Sequence, residues 1–128
     1  MLDHVGIAVA DFAEAKAFYT PTLAPLGITL LLEVTPEMTG HGHSAGFGSE
    51  GKPYFWISDH GRPSLHSHIA FATDDRAKVD AFYAAALAAG GQNNGAPGLR
   101  PHYHDRYYGA FVLDPDGHNI EAVCHQPD

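Results

Sequence analysis

Apolar and polar residues alternate over positions 3–9. Val5, Ile7 and Val9 take one side and His4, Gly6 and Ala8 the other, the period of a strand buried on one face. Asp11 follows as a helix N-cap, with Glu14 three residues on to complete a capping box. Phe12, Ala15, Phe18, Tyr19 and Leu23 then form an apolar stripe at helical spacing. Pro25 and Gly27 mark its stop, and Pro21 is expected to kink the helix or end it early. The whole pattern returns about 64 residues later. Ile69, Phe71 and Thr73 oppose His68, Ala70 and Ala72; Asp74 or Asp75 caps a second helix carrying Val79, Phe82, Tyr83, Ala86 and Leu87; and Gly90 and Gly91 terminate it.

Three short strands are expected after each helix. In the first half they fall at about Thr29–Val34, Ser44–Phe47 and Pro53–Ser58, and in the second at Gly91–Asn94, Tyr107–Leu113 and Asn119–Cys124. Asp114-Pro115-Asp116-Gly117 joins the last two as a hairpin turn, whereas the glycines between Gly40 and Gly51 predict a looser hairpin in the first half. The junction is expected at Gly61-Arg62-Pro63-Ser64. The predicted fold is α+β, with two tandem βαβββ modules, residues 1–62 and 63–128, forming a single domain over 1–128.

Composition narrows the function. The formal charge is −8, from 7 Lys plus Arg against 15 Asp plus Glu, so no nucleic-acid or membrane-surface partner is expected. Apolar runs are far shorter than the roughly 20 residues that span a bilayer, and no signal segment precedes His4. Cys124 is alone, which excludes an internal disulfide and fits a reducing, cytoplasmic compartment. Histidine is over-represented, with 10 copies.

The repeat places His4 and His68 at equivalent points of equivalent strands, each followed by small residues that leave space on that face. Glu121, with Asn119 and Val123, lies on one face of the last strand, where an unpartnered carboxylate is costly. Two neutral imidazoles and one carboxylate are a donor set for a divalent metal with open coordination positions. His66 is a competing ligand, and His68 is preferred for its repeat match. His41, His43, His60, His118 and His125 are assigned to loops, with His41 and His43 within reach of a cavity mouth.

The motifs Asp3-His4-Val5-Gly6-Ile7, Asp11 through Tyr19, His68-Ile69-Ala70-Phe71 and Phe111 through Glu121 together resemble the vicinal oxygen chelate superfamily, which includes glyoxalase I, bleomycin-resistance proteins and extradiol dioxygenases. The resemblance covers essentially the whole chain. It implies that the paired modules curl into an open eight-stranded cup with metal ligands on its inner wall. It also implies His4, His68 and Glu121 as ligands of a divalent ion, Fe, Mn, Zn or Ni. Members similar to glyoxalase I use a fourth ligand from the last strand of the first module, and here that place falls on Phe55 or Trp56. The dioxygenase pattern matches His104 ahead of an aromatic strand, with Phe111 where a tyrosine is usual and Tyr107 or Tyr108 as its substitute.

The segment Arg100 to Tyr108 is dense in groups that bind or titrate. The expected catalytic residues are His102 or His104 as proton shuttle, together with Tyr108. The expected substrate contacts are Trp56, Arg100, Tyr103, Tyr107 and Phe111. The same segment also has the composition of an oligomer contact. The leading expectation is a metal-dependent enzyme, dioxygenase-like or lyase/isomerase-like, acting on a small substrate with neighbouring oxygens and working as a homodimer. The alternatives are a metal-free drug-binding protein of the same fold and a structural module with incidental histidines.

Overall fold

In the computed structural model, which describes residues 1–127 apart from Ser64, His66 and the side chain of Thr39, each half follows the expected order of elements. The competing ligand His66 and the last residue of the expected junction, Ser64, therefore lie outside the described residues. Strand β1 (Val5–Ala8) leads into helix α1 (Phe12–Leu23), where the Asp11 carboxylate accepts from the Glu14 N–H at 3.1 Å. Asp11→Ala should remove this cap and cost about 1 kcal/mol. A fall in Tm of roughly 3–5 °C in a thermal melt would register it. The early end expected as one alternative at Pro21 does not occur: α1 runs through it to Leu23 before a 3-10 turn at Ala24–Leu26. The buried side chains of Phe18, Tyr19, Thr22 and Leu23 hold the last turn in place despite the N–H that proline lacks.

Strands β2 (Thr29–Val34), β3 (Ser44–Ser49) and β4 (Lys52–Ser58) complete the first half, with an unanticipated one-turn helix α2 (Pro36–Thr39) after β2. The β3–β4 hairpin is tighter than its glycine content predicted, because Glu50 and Gly51 both adopt positive φ in a two-residue turn. The second half comprises β5 (His68–Thr73), α3 (Arg76–Ala88), β6 (Gln92–Leu99), β7 (Tyr108–Leu113) and β8 (Asn119–Cys124). Asp75 caps α3, accepting from the Ala77 N–H at 2.9 Å, and Gly90 ends it at φ 98°. Strand β6 extends to Leu99, well past the expected end. It is an outer strand, so its proline and its register shifts break no second ladder.

The strands form two four-stranded sheets, in the orders β1-β4-β3-β2 and β5-β8-β7-β6. In each, one edge pair is parallel (β1 with β4, β5 with β8) and the rest is antiparallel. Helices α1 and α3 pack against each other, and one apolar core takes residues from both halves. Phe55 meets Phe71 edge-on with ring centroids 5.3 Å apart, and the Tyr19 hydroxyl donates to Asp114 across the halves. Burial raises the Tyr19 pKa well above its ordinary value, reinforced by the neighbouring Asp114 carboxylate. Two expectations fail at the edges of this core. Leu87 stays 37% exposed, while His118 is fully buried beneath the Asp114–Gly117 turn rather than displayed on it. Because both sheets turn one face to the helices, the opposite faces, carrying His4 and Gly6 in the first half and His68, Ala70 and Ala72 in the second, remain open.

Candidate active site

Pleat parity decides which side chains share the open face of the second sheet. Ala70, Glu121 and Phe111 lie in register across β5, β8 and β7. Glu121 is the buried member. Its side chain is 1% exposed, its Oε1 is 2.7 Å from His68 Nε2, and its Oε2 accepts from the Tyr107 hydroxyl. Burial, then the hydrogen bond and negative charge of Glu121, raise the Tyr107 pKa, so this hydroxyl keeps its proton throughout the neutral range. Phe111 flanks His68 with ring centroids 6.2 Å apart, and the Arg100 guanidinium lies over the Phe111 ring, 5.4 Å from its centroid. Backbone carbonyls of Gly98 and Ala96 anchor that guanidinium at 2.9 and 2.8 Å.

Behind Tyr107 stands a second layer. His104 Nδ1 accepts from the Arg106 N–H at 3.1 Å, which leaves His104 Nε2 to donate to His125 Nδ1 at 2.7 Å. Both imidazoles make edge contacts with the Tyr107 ring. His102 instead packs on Tyr103, and Tyr103 in turn packs on Tyr107. Tyr108 turns the other way, because it shares the pleat of Ala110 and Cys124. Its hydroxyl donates to Asp80 on α3 at 2.6 Å and its ring carries Arg76. The tyrosine that reaches Glu121 is therefore Tyr107, and Tyr108 is a helix-side contact. His125, assigned above to a loop, joins the site. Counting back along the β7–β8 register from Leu113 opposite Asn119 sets Tyr107 opposite His125, a parity signal present in the sequence once the turn is anchored.

The first half contributes differently. His4 is 60% exposed, and its Nδ1 meets Asp3 Oδ1 at 2.7 Å; Asp3 also receives Lys52 Nζ at 2.8 Å. Those hydrogen bonds, Lys52 first and His4 second, lower the Asp3 pKa. His4 and His68 border the same cavity, of about 470 Å³, between β1 and β5. Among the described residues, however, no three His, Cys, Asp or Glu side chains converge as metal ligands. His68 and Glu121 meet as two suitable donors of an N/O set, and His4 stands apart from them.

These motifs on this fold match known proteins along nearly the whole chain. Residues 1–122 match the Glyoxalase/Bleomycin resistance protein/Dioxygenase superfamily. The chain belongs to this superfamily. It is 30% identical to a probable lactoylglutathione lyase of Vibrio cholerae serotype O1, covering 94% of this chain and 87% of that protein. A glyoxalase/bleomycin resistance protein from Albidiferax ferrireducens T118 is 32% identical, with 97% of each chain covered and a TM-score of 0.75. Glyoxalase I from Zea mays shares the fold at 21% identity and a TM-score of 0.73; this chain is covered to 98% but spans only 45% of that one.

Within the superfamily's two-module frame, the alternative between Phe55 and Trp56 is resolved by register. Gly6, Trp56 and Gly46 align across β1, β4 and β3 as Ala70, Glu121 and Phe111 do across β5, β8 and β7. Trp56 thus occupies the first-half counterpart of Glu121, on the open face, and Phe55 points into the core.

Proposed function

We propose that this protein is a metal-dependent enzyme acting on a small molecule that presents two neighbouring oxygens, and that His68, Glu121 and His4 hold a divalent ion, Fe, Mn, Zn or Ni. The observation that carries this reading is Glu121 itself. A carboxylate at the centre of a strand, fully buried and aimed with His68 at an open face, is a costly group to keep for packing alone. Because His4 stands apart within one chain, the reading assigns its contribution to a homodimer, in which the open face of one copy's first half covers the second half of the other. Exposed Leu32 at 47% on β2 and Leu99 at 49% on β6, both on outer strands, support such pairing.

An ion held there, when bound, polarises adjacent substrate oxygens and makes their protons easier to remove. The chain's own residues then divide the work. Tyr107 keeps its proton at its hydroxyl and, by hydrogen bonding to Glu121, holds the carboxylate in place. His104, in contact with Tyr107 and bonded to His125, takes the shuttle role in preference to His102 and connects the site to solvent. Arg100, held over the Phe111 ring, and Tyr103 bound the substrate side. Similarity to the probable lactoylglutathione lyase of Vibrio cholerae favours a lyase or isomerase step, and Trp56 in place of a fourth ligand favours the dioxygenase branch.

Trp56 also supports a second reading, a metal-free small-molecule binding protein. Elemental mass spectrometry on tag-free protein separates the two. Wild type should carry close to one equivalent of divalent metal per chain and His68→Ala less than roughly a tenth of that. Wild type that stays metal-free after reconstitution with each of the four ions would overturn the enzyme reading. No described helix is long and apolar enough to cross a membrane. We place the protein in the cytoplasm, where its lone buried thiol, Cys124, stays reduced.

A further inference from the structure

We infer that His41 and His60 form a second metal site, which takes an exchangeable divalent transition ion, copper in preference to nickel or zinc. The site lies apart from the candidate active site and does not rest on the function proposed for it. Neither histidine, nor any group that positions them, borders the cavity of about 470 Å³ between β1 and β5. Two chain segments meet instead at one end of the first sheet. Strand β3 begins at Ser44 and β4 ends at Ser58, and these two residues are partners in the antiparallel ladder. The pairing continues one step past both strands, where the Asp59 N–H donates to the His43 carbonyl at 3.1 Å. The run His41-Gly42-His43 therefore lies against Asp59-His60.

This corner is pinned from several sides. Asp59 Oδ1 accepts from the His43 backbone N–H at 2.7 Å, and its Oδ2 accepts from His43 Nδ1 at 3.0 Å. The His43 ring stacks on Phe12 at the start of α1, with centroids 5.0 Å apart and planes inclined by 19°. Gly42 permits the close approach, because a Cβ there would fall 2.1 Å from Asp59 Oδ1. His43 and Asp59 are thus engaged with each other as positioning groups. They fix the loop that carries His41 beside the end of β4 that carries His60.

His41 and His60 are both exposed, and their ring centroids lie 6.2 Å apart with the planes inclined by 45°. An imidazole nitrogen binds zinc at about 2.0–2.1 Å, so two rings on one such ion have centroids roughly 5–6 Å apart. The pair stands close to a chelating separation before any ion arrives. Ser44 Oγ lies 3.2 Å from His60 Nε2. In the tautomer whose Nε2–H donates to that hydroxyl, His60 presents a bare Nδ1 to the ion, and its second nitrogen is anchored as in most ligating histidines. Holding the side chains in place beforehand lowers the entropy cost of chelation. Two imidazoles, with water in the remaining positions, suit copper, nickel and zinc, and the affinity order among these puts copper first. With only two protein donors the ion exchanges on dialysis and adds nothing to the equivalent retained at the active site. The other histidine pair, His104 and His125, is closed by its own hydrogen bond at 2.7 Å and serves as the comparison.

The test is titration of dialysed, tag-free protein with copper(II) alone in a non-chelating buffer, followed by calorimetry and by electron paramagnetic resonance. Wild type should bind an exchangeable equivalent whose spectrum shows coupling to two imidazole nitrogens. His41→Ala and His60→Ala should each weaken that equivalent by at least about 10-fold, and the double variant should lose little more than either single, because one donor alone does not chelate. Both side chains are exposed, so the metal-free Tm should stay at the wild-type value in all three. Nickel and zinc should bind at the same place more weakly. His68→Ala should keep this equivalent, which separates the site from any failure of the active-site reading. Copper binding unchanged in His41→Ala or in His60→Ala overturns the inference. So does a spectrum with a single coupled nitrogen, an exchangeable equivalent that disappears in His68→Ala or His125→Ala, or no such equivalent in wild type.

Discussion

Glu121→Gln should cut metal retention by at least about 100-fold while leaving the fold in place. Replacing a ligating carboxylate exceeds the roughly 10–100-fold effect of altering groups one layer further out. The amide keeps the volume, its oxygen still accepts from the Tyr107 hydroxyl and its NH2 donates to His68 Nε2 in the Nδ1–H tautomer, so the buried strand centre is not left with a void or with unpaired groups. Elemental analysis after dialysis, beside a thermal melt, is the measurement. Metal content equal to wild type would remove Glu121 from the ligand set. A collapsed melt would instead mean that the carboxylate is part of the packing, and Glu121→Asp, which keeps the charge but shortens its reach, would then report on metal binding.

Phe55→Ala should be the most damaging single change to stability, costing about 3–5 kcal/mol. Its ring is fully buried where the halves meet, touching Tyr19 at 5.1 Å and Phe71 at 5.3 Å between centroids. Against the total of roughly 5–15 kcal/mol expected of such a domain, that loss brings the protein to the edge of unfolding at physiological temperature. Chemical denaturation should show the midpoint falling with an unchanged slope. The neighbouring Trp56→Leu should cost far less, because its side chain faces the open side. Similar losses at both positions would contradict the face assignment on which the site depends.

The contrast between these two neighbours shows what was legible beforehand. The repeat of His4-Val5-Gly6-Ile7 in His68-Ile69-Ala70-Phe71, the caps at Asp11 and Asp75, and the turn at Asp114–Gly117 are local signals with local causes. Period and capping chemistry act within a few residues, so the chain by itself determined both βαβββ modules, most strand limits and the face that Glu121 shares with Asn119. Where local rules failed, longer contacts had won. Pro21 stays in its helix because the core holds that turn, and β6 continues because β7 supplies partners.

The site divides in the same way. That histidines and a carboxylate would share open sheet faces followed from alternation alone. Which aromatic of Phe55 and Trp56, and which of Tyr107 and Tyr108, belongs to those faces depended on pairing between strands distant in sequence. A one-residue difference in register exchanges core for site. The meeting of Glu121 with His68, the His104–His125 pair and the separation of His4 from both were decided only by the tertiary structure. They arise from how two sheets pack about a shared pair of helices, and no local pattern encodes that packing.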